Sequence, residues 1–195
     1  MRRPFPIQRA ELRRLDGAYW WLVGIATTLT FGRFSEAFLL LAAEHVGLAI
    51  ALIPGVFVVM NVVYAASAYP FGRLSDVVSR RLLLAFGVGF LIVADIILAT
   101  ASTPRRVAAG VVFWGLHMGA TQGLLSTLVV DAAPADLRRT ALGMYNLITG
   151  VALLLGSVLA GSLWAGFGPP ATFIAGGAFA GIALIGMLSW QDDSK

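Results

Sequence analysis

The side chains able to do chemistry in this chain stand where they are expensive to keep. Arg33 and Glu36 lie three residues apart inside an apolar run that continues on both sides. At the centre of a membrane helix each would cost about 2.5–3.5 kcal/mol. On a continuous helix that spacing puts them on one face, where they can neutralise each other. Thr30 borders the same face, while Phe31, Phe34 and Phe38 take the opposite one. The expected arrangement is an ion pair turned to the interior and aromatics turned to lipid. Such a pair either locks two helices together or contacts a substrate or proton in a water-filled cavity.

Four further sites carry the same two-sided reading. Asp95 has no cation on its own helix within two turns. A carboxyl so placed can carry a proton for coupling, or hydrogen-bond between helices. His117, with Trp114 one turn back and Thr121 one turn on, forms a stripe well away from Gly115, Gly119 and Gly123, while Gln122 borders those glycines. Asn61 and Tyr64 share one helix face, as do Tyr145 and Thr149. These residues either line a pathway or hydrogen-bond across helices.

Other chemistries find no residues. There is no cysteine, which excludes disulfide frameworks and thiolate sites. His45, His117 and the scattered acids show no metal-ligand spacing. No G-x-S-x-G, phosphate loop or dinucleotide fingerprint occurs. Pro134-x-Asp136-x-x-Arg139 fits the mitochondrial-carrier signature, but that fold needs it three times and here it occurs once. Neither an enzyme nor a metal or cofactor is expected.

The elements that must position these residues follow from composition. Of 195 residues, 58% are apolar and 12% charged, against roughly a quarter charged in soluble domains. That leaves too little polar surface for a water-facing globule, so the chain reads as an all-α integral membrane protein with the lipid bilayer as its surroundings. A span needs about 20 apolar residues, and six stretches qualify: Tyr19–Ala43, Leu48–Tyr69, Leu82–Ala101, Val107–Val130, Ala141–Ala165 and Ala171–Trp190. Residues 19–190 form one six-helix unit, flanked by a basic arm or linker over 1–18 and a tail over 191–195. The net charge of +4 does not signal nucleic acid, because the basic residues cluster between apolar runs. Eleven of them, from Arg2 to Lys195, fall on one face against Arg105 and Arg106 on the other. That asymmetry puts both termini in the cytoplasm, with Tyr19-Trp20-Trp21, Trp164 and Trp190 as interfacial anchors. The implied location is a bacterial cytoplasmic (inner) membrane.

Small residues mark where helices approach: Gly115, Gly119 and Gly123; Gly177 and Gly181; Gly156 with Ala160, and Ser157 with Gly161. These seams serve packing within the bundle or association with a second one.

The second loop of the chain, on the arginine-rich side, reads Gly72-Arg73-Leu74-Ser75-Asp76-Val77-Val78-Ser79-Arg80-Arg81. Gly72 permits a tight helix exit. Asp76 can accept hydrogen bonds from a helix amino terminus and pair with the arginines after it, which makes the loop a candidate latch. Gly72, Leu74, Asp76, Arg80 and Arg81 match the form G-x-L-[AS]-D-x-x-G-[RK]-[RK], and here the chain resembles the major facilitator superfamily (MFS) of secondary transporters. Ser79 stands where that motif has glycine, so the local turn is expected to differ while the charges are kept. The stretch from Pro134 to Asn146, continuing to Gly156-Ser157 and Ala160-Gly161-Ser162-Leu163-Trp164, is similar to the tenth-to-eleventh helix region of that family. The resemblance covers residues 19–190 and corresponds to the carboxy-terminal six of twelve helices.

It implies an MFS-type half bundle of 3+3 helices, with 1–18 as the linker between halves and Met1 not beginning a complete transporter. A second six-helix half is then required as partner: another copy, another chain, or a missing amino-terminal half. The implied function is alternating-access transport of a small-molecule substrate, with proton coupling as an option. The implied cytoplasmic gate is Gly72, Asp76, Arg80 and Arg81, together with Asp131 and Arg138 or Arg139. Arg33 and Glu36 lead the expected pathway, followed by Asn61, Tyr64, His117 and Asp95. The alternative is a non-transporting module, a sensor or assembly partner on the same half-fold.

Overall fold

The computed structural model describes residues 12–189, and every regular element among them is helical. The tail and Trp190, and most of the arm proposed for 1–18, lie outside the described residues. In chain order the helices are α1 (Gly17–Gly32), α2 (Ala37–His45), α3 (Pro54–Leu74, entered through a short turn at Ile50–Leu52), α4 (Arg80–Ala99), α5 (Pro104–Asp131), α6 (Arg138–Phe167) and α7 (Pro169–Ser189).

Local chemistry sets their ends. Asp16 caps α1 by accepting from Tyr19 N–H at 2.9 Å. Thr103 caps α5, with Pro104 in the first turn, where a missing N–H costs nothing. Ser79 caps α4 by accepting from Leu82 N–H. Its φ of −56° needs no glycine, so the departure from the loop motif supplies a cap instead of a strained turn. Gly47 (φ 85°) and Gly168 (φ 82°) end α2 and α6 in the left-handed region that favours glycine.

Five helical stretches are long and apolar enough to cross a membrane: Gly17–His45, Ile50–Leu74, Arg80–Ala99, Arg138–Phe167 and Pro169–Ser189. The remaining long helix, α5, is diluted by its glycines and by His117, Thr121, Gln122, Ser126 and Thr127.

The first span departs most from expectation, because it is broken. Helix α1 stops at Gly32, and Arg33 takes a non-helical φ of −101° and ψ of 54°. Ser35 N–H then donates to Ser157 Oγ on α6 at 3.2 Å, instead of to its own helix. The break voids the face assignment made for a continuous helix. Phe34 and Phe38 turn inward, 3% and 8% exposed, and Phe34 packs on Phe38, Trp114 and Phe173. Arg33 and Glu36 are no longer a paired face: the ion pairs among the described residues are Arg14–Asp136 and Arg80–Asp131.

Packing follows small residues, since lipid supplies no hydrophobic drive between helices. A methyl on Gly115 would stand 2.8 Å from the Met60 carbonyl oxygen on α3, and one on Gly119 would collide with Ser67 Oγ. Gly123, the third member of that stripe, has nothing within 4 Å. On α7 the seam is Gly176 with Gly177, whereas Gly181 stands in open space. Helix α4 packs on α5 and α7, α1 on α7 and α6, and α3 chiefly on α5. This leaves α3 and α6 as the two least covered flanks. Val58, Val62 and Tyr69 on α3, and Leu147, Leu154 and Val158 on α6, are exposed.

Tyr19 is also not an interfacial anchor. It is fully buried, and its hydroxyl donates to the Ala141 carbonyl at 2.9 Å, tying α1 to α6. Trp20 and Trp21 are exposed, while Trp164 packs on Phe38 and Phe173.

Candidate functional site

Arg33 is the only described residue ahead of α6 common to two clefts that meet at the break. One, of about 390 Å³, lies between α1, α5 and α6, and takes its polar lining from Thr30, Arg33, Gln122, Ser126, Tyr145, Asn146 and Thr149. The other, of about 680 Å³, runs past Arg33, Ser35 and Glu36 to Phe57 on α3 and Ser157 on α6. Gly150 and Leu153 on α6 belong to both. Together they make one groove between the uncovered flanks.

The local sequence explains its polarity. Tyr145 and Thr149 are one turn apart on α6, as are Gln122 and Ser126 on α5, so each pair presents one face to the groove. Thr149 Oγ1 donates to the Tyr145 carbonyl at 2.8 Å, and Thr30 Oγ1 to Ala26 at 2.7 Å. Both hydroxyls keep their lone pairs for a ligand. Arg33 interacts electrostatically with Tyr145 and Glu36. A guanidinium carries five donors in a fixed fork, and irregular backbone at this depth is tolerated where it lines a cavity.

The remaining expected pathway residues do not join the groove. His117 is wholly buried, with Nδ1 2.8 Å from the Gly87 carbonyl. Asp95 is 1% exposed, between α4 and α7, and neither carboxyl oxygen has a partner. Asn61 is exposed and spends its amide on the Phe57 carbonyl of its own helix at 2.8 Å. Tyr64 lines a third cleft of about 380 Å³ with Phe71, Arg80 and Gln122, the last of which also lines the groove. Sequence reasoning overlooked Asn146 and Ser126 as lining, and took Ser157 only as part of a packing seam. The one-turn spacing of Gln122 and Ser126 was a usable signal, whereas the small-residue seam at Ser157 and Gly161 announced a helix contact but not the Ser35 N–H that the break brings to Ser157.

At the arginine-rich end, Arg80 Nη1 donates to Asp131 Oδ2 at 2.7 Å, joining α4 to the end of α5. Arg81 donates to the Leu188 carbonyl on α7. Gly72 is exposed and accepts from Ser75 Oγ at 2.6 Å. The pairing expected of Asp76 is absent: Asp76 is exposed and in none of the ion pairs among the described residues, since the chain turns back through Ser75–Val78 before the arginines begin. Arg138 and Arg139 are exposed in the first turn of α6. Asp131 pairs with Arg80, and the neighbouring Asp136 with Arg14 at 2.8 Å.

A sequence model of the Major Facilitator Superfamily matches residues 20–195. The chain belongs to the Major Facilitator Superfamily. This MFS chain is 28% identical over 180 residues to an uncharacterized MFS-type transporter of Methanocaldococcus jannaschii, covering 88% of the chain and 44% of that protein. It is 30% identical over 148 residues to the inner membrane transport protein YajR of Escherichia coli, covering 73% of the chain and 30% of that protein. A fungal MFS-type transporter of Aspergillus terreus matches at 31% over 98 residues, half of the chain and 18% of that protein. The MFS chain thus spans less than half the length of the curated relatives it matches. The family is one of multi-pass membrane transporters and not of enzymes.

Proposed function

We propose that this chain is the carboxy-terminal half of a facilitator-type secondary transporter, with six spans and both termini in the cytoplasm of a bacterial cell whose inner membrane it occupies. The carrying observation is the groove at the break in the first span, where Arg33 stands between two clefts and opens toward the uncovered flanks α3 and α6. In this reading α5 is the sixth span, its polar residues tolerated because they face the groove and its glycines because they pack on α3. A second six-helix half closes on those flanks, and the two rock about a midplane site. The solute is small and polar. Arg33 and Glu36 contact it, while Tyr145, Asn146, Thr149 and Gln122 orient it. The coupling ion proposed is the proton, with Asp95 its carrier. The Arg80–Asp131 pair is the cytoplasmic latch, with Gly72 and Asp76 shaping its loop and Arg81, Arg138 and Arg139 flanking it.

The test begins with stoichiometry in nanodiscs by native mass spectrometry at dilute loading. A dimer, or a complex with a second membrane protein, permits a two-half pathway, whereas a strict monomer means that this chain by itself has none. Proteoliposomes of that assembly are then screened with panels of small polar solutes under an imposed proton gradient. Arg33→Leu with Glu36→Leu should abolish uptake while leaving membrane insertion intact. Unchanged uptake would instead support a sensor or assembly module on the same half-fold, which needs no polar groove.

A further inference from the structure

The break in the first span rests on a backbone contact that only glycine allows. A methyl on Gly32 would stand 2.8 Å from the Gly176 carbonyl oxygen and 3.0 Å from Ala180 N. From the other side, a methyl on Gly176 would meet Phe34 Cε1 at 2.9 Å, Asp95 Oδ2 at 3.1 Å and the Gly32 carbonyl oxygen at 3.1 Å. The carboxyl of Asp95, from α4, and the carbonyl that ends α1 therefore converge on one glycine of α7. Gly177 continues that floor, its methyl position 3.5 Å from Asp95 Cβ.

Each of the two oxygens stands 3.1 Å from the methyl position of Gly176. Both carboxyl oxygens of Asp95 are buried without a hydrogen-bond partner, and the Gly32 carbonyl accepts no backbone hydrogen bond. The last carbonyls of a helix also carry partial negative charge. A charged carboxylate facing them in a dry interior would be repelled and unsolvated at once. A neutral carboxylic acid has one hydrogen to give, and the carbonyl has lone pairs to receive it. No neighbouring charge changes this balance. Helix α7 brings no titratable residue between Pro169 and Ser189. Helix α5 brings His117, whose Nδ1 is engaged with Gly87. The end of α1 brings Arg33, which lines the groove and forms no ion pair with Asp95.

We propose that Asp95 is a proton-operated clasp on the broken helix: as the acid it donates to the Gly32 carbonyl and holds the end of α1 on Gly176, and on losing the proton it releases that end. Arg33 is the next residue after Gly32, so the clasp sets how firmly the groove's cation is held. The inference deepens the transport reading and rests on it for its biological meaning, adding how a proton carried at the back of the bundle reaches the groove.

The test uses the full chain in nanodiscs and needs no substrate. Infrared difference spectroscopy reads the carbonyl stretch of a protonated acid, and amide hydrogen exchange reads residues 33–39. The expected result is an acid band that Asp95→Asn removes and that alkaline pH bleaches. Exchange at the break should quicken by about two- to tenfold over the same pH range, the span that one hydrogen bond contributes. Asp95→Asn, whose amide donates at every pH, should keep exchange slow throughout, and Asp95→Leu should make it fast throughout. If Asp95→Leu does not fold, the pH profiles of the native chain and Asp95→Asn decide by themselves. No Asp95-dependent acid band, or exchange at the break indifferent to pH, overturns the clasp, as does a response to sodium in place of protons. Such a failure leaves the groove and its uptake test standing, whereas loss of the transport reading would leave these spectra unchanged.

Discussion

The latch proposed at Arg80–Asp131 has to be weak enough to open, and the geometry of the pair permits that weakness to be calculated before it is measured. The contact is a single N–O approach of 2.7 Å between side chains that are 46% and 50% exposed. It is not bidentate, so it lacks the geometric gain of a guanidinium fork. Two unit charges about 4 Å apart in water attract by about 1 kcal/mol, and half-exposed pairs then lose part of this to side-chain entropy and salt. Pairs of this kind contribute about 0.2–1 kcal/mol, which corresponds to at most about a fivefold shift in an equilibrium. A double-mutant cycle with Arg80→Gln and Asp131→Asn, read by denaturant unfolding of the chain in micelles, should return a coupling in that range. The coupling should shrink as ionic strength rises from about 0.01 M to about 1 M, because the Debye length falls from about 30 Å to about 3 Å. A coupling above about 2 kcal/mol, or one that salt leaves untouched, would mean the pair is desolvated and too strong for a latch. A coupling of zero would remove the pair from gating altogether.

Other expectations follow from the same geometry. Gly119→Ala should destabilise the bundle by about 1–3 kcal/mol, the usual cost of overpacking, because its methyl collides with Ser67 on α3. Gly123→Ala, in open space, should stay within about 0.5 kcal/mol; equal melting temperatures for the two would refute the α3–α5 seam. Phe34→Ala should cost about 3–5 kcal/mol, since the ring is 3% exposed among Phe38, Trp114 and Phe173. A silent substitution in thermal unfolding would return Phe34 to the lipid face. Asp76→Asn, at an exposed residue outside the ion pairs among those described, should leave stability within about 0.5 kcal/mol and slow uptake by the assembled transporter; unchanged uptake kinetics would exclude it from the gate.

Family membership and helical class were legible in the chain because they rest on composition and local pattern. An apolar run of span length must satisfy its backbone internally, so it is a helix whatever surrounds it. The loop from Gly72 to Arg81 places its charges between two such runs by chain order alone. The cost of keeping Arg33 and Glu36 was legible for the same reason, since charges inside apolar runs are costly wherever the helix turns.

Which way those charges face was not legible. A 100° step per residue assigns faces only while the helix continues, and the break after Gly32 is a tertiary event. It needs Gly176 on α7 to accept the backbone and Ser157 on α6 to take the Ser35 N–H, partners more than a hundred residues away in the chain. The same holds for Asp95, whose isolation was visible along its own helix, but whose approach to Gly176, beside the end of α1, exists only where three helices cross. Periodicity and charge counting determined what each segment is. Close backbone contacts between glycines on different helices decided where the polar groove lies and which residues line it, because they depend on separations that no local pattern encodes.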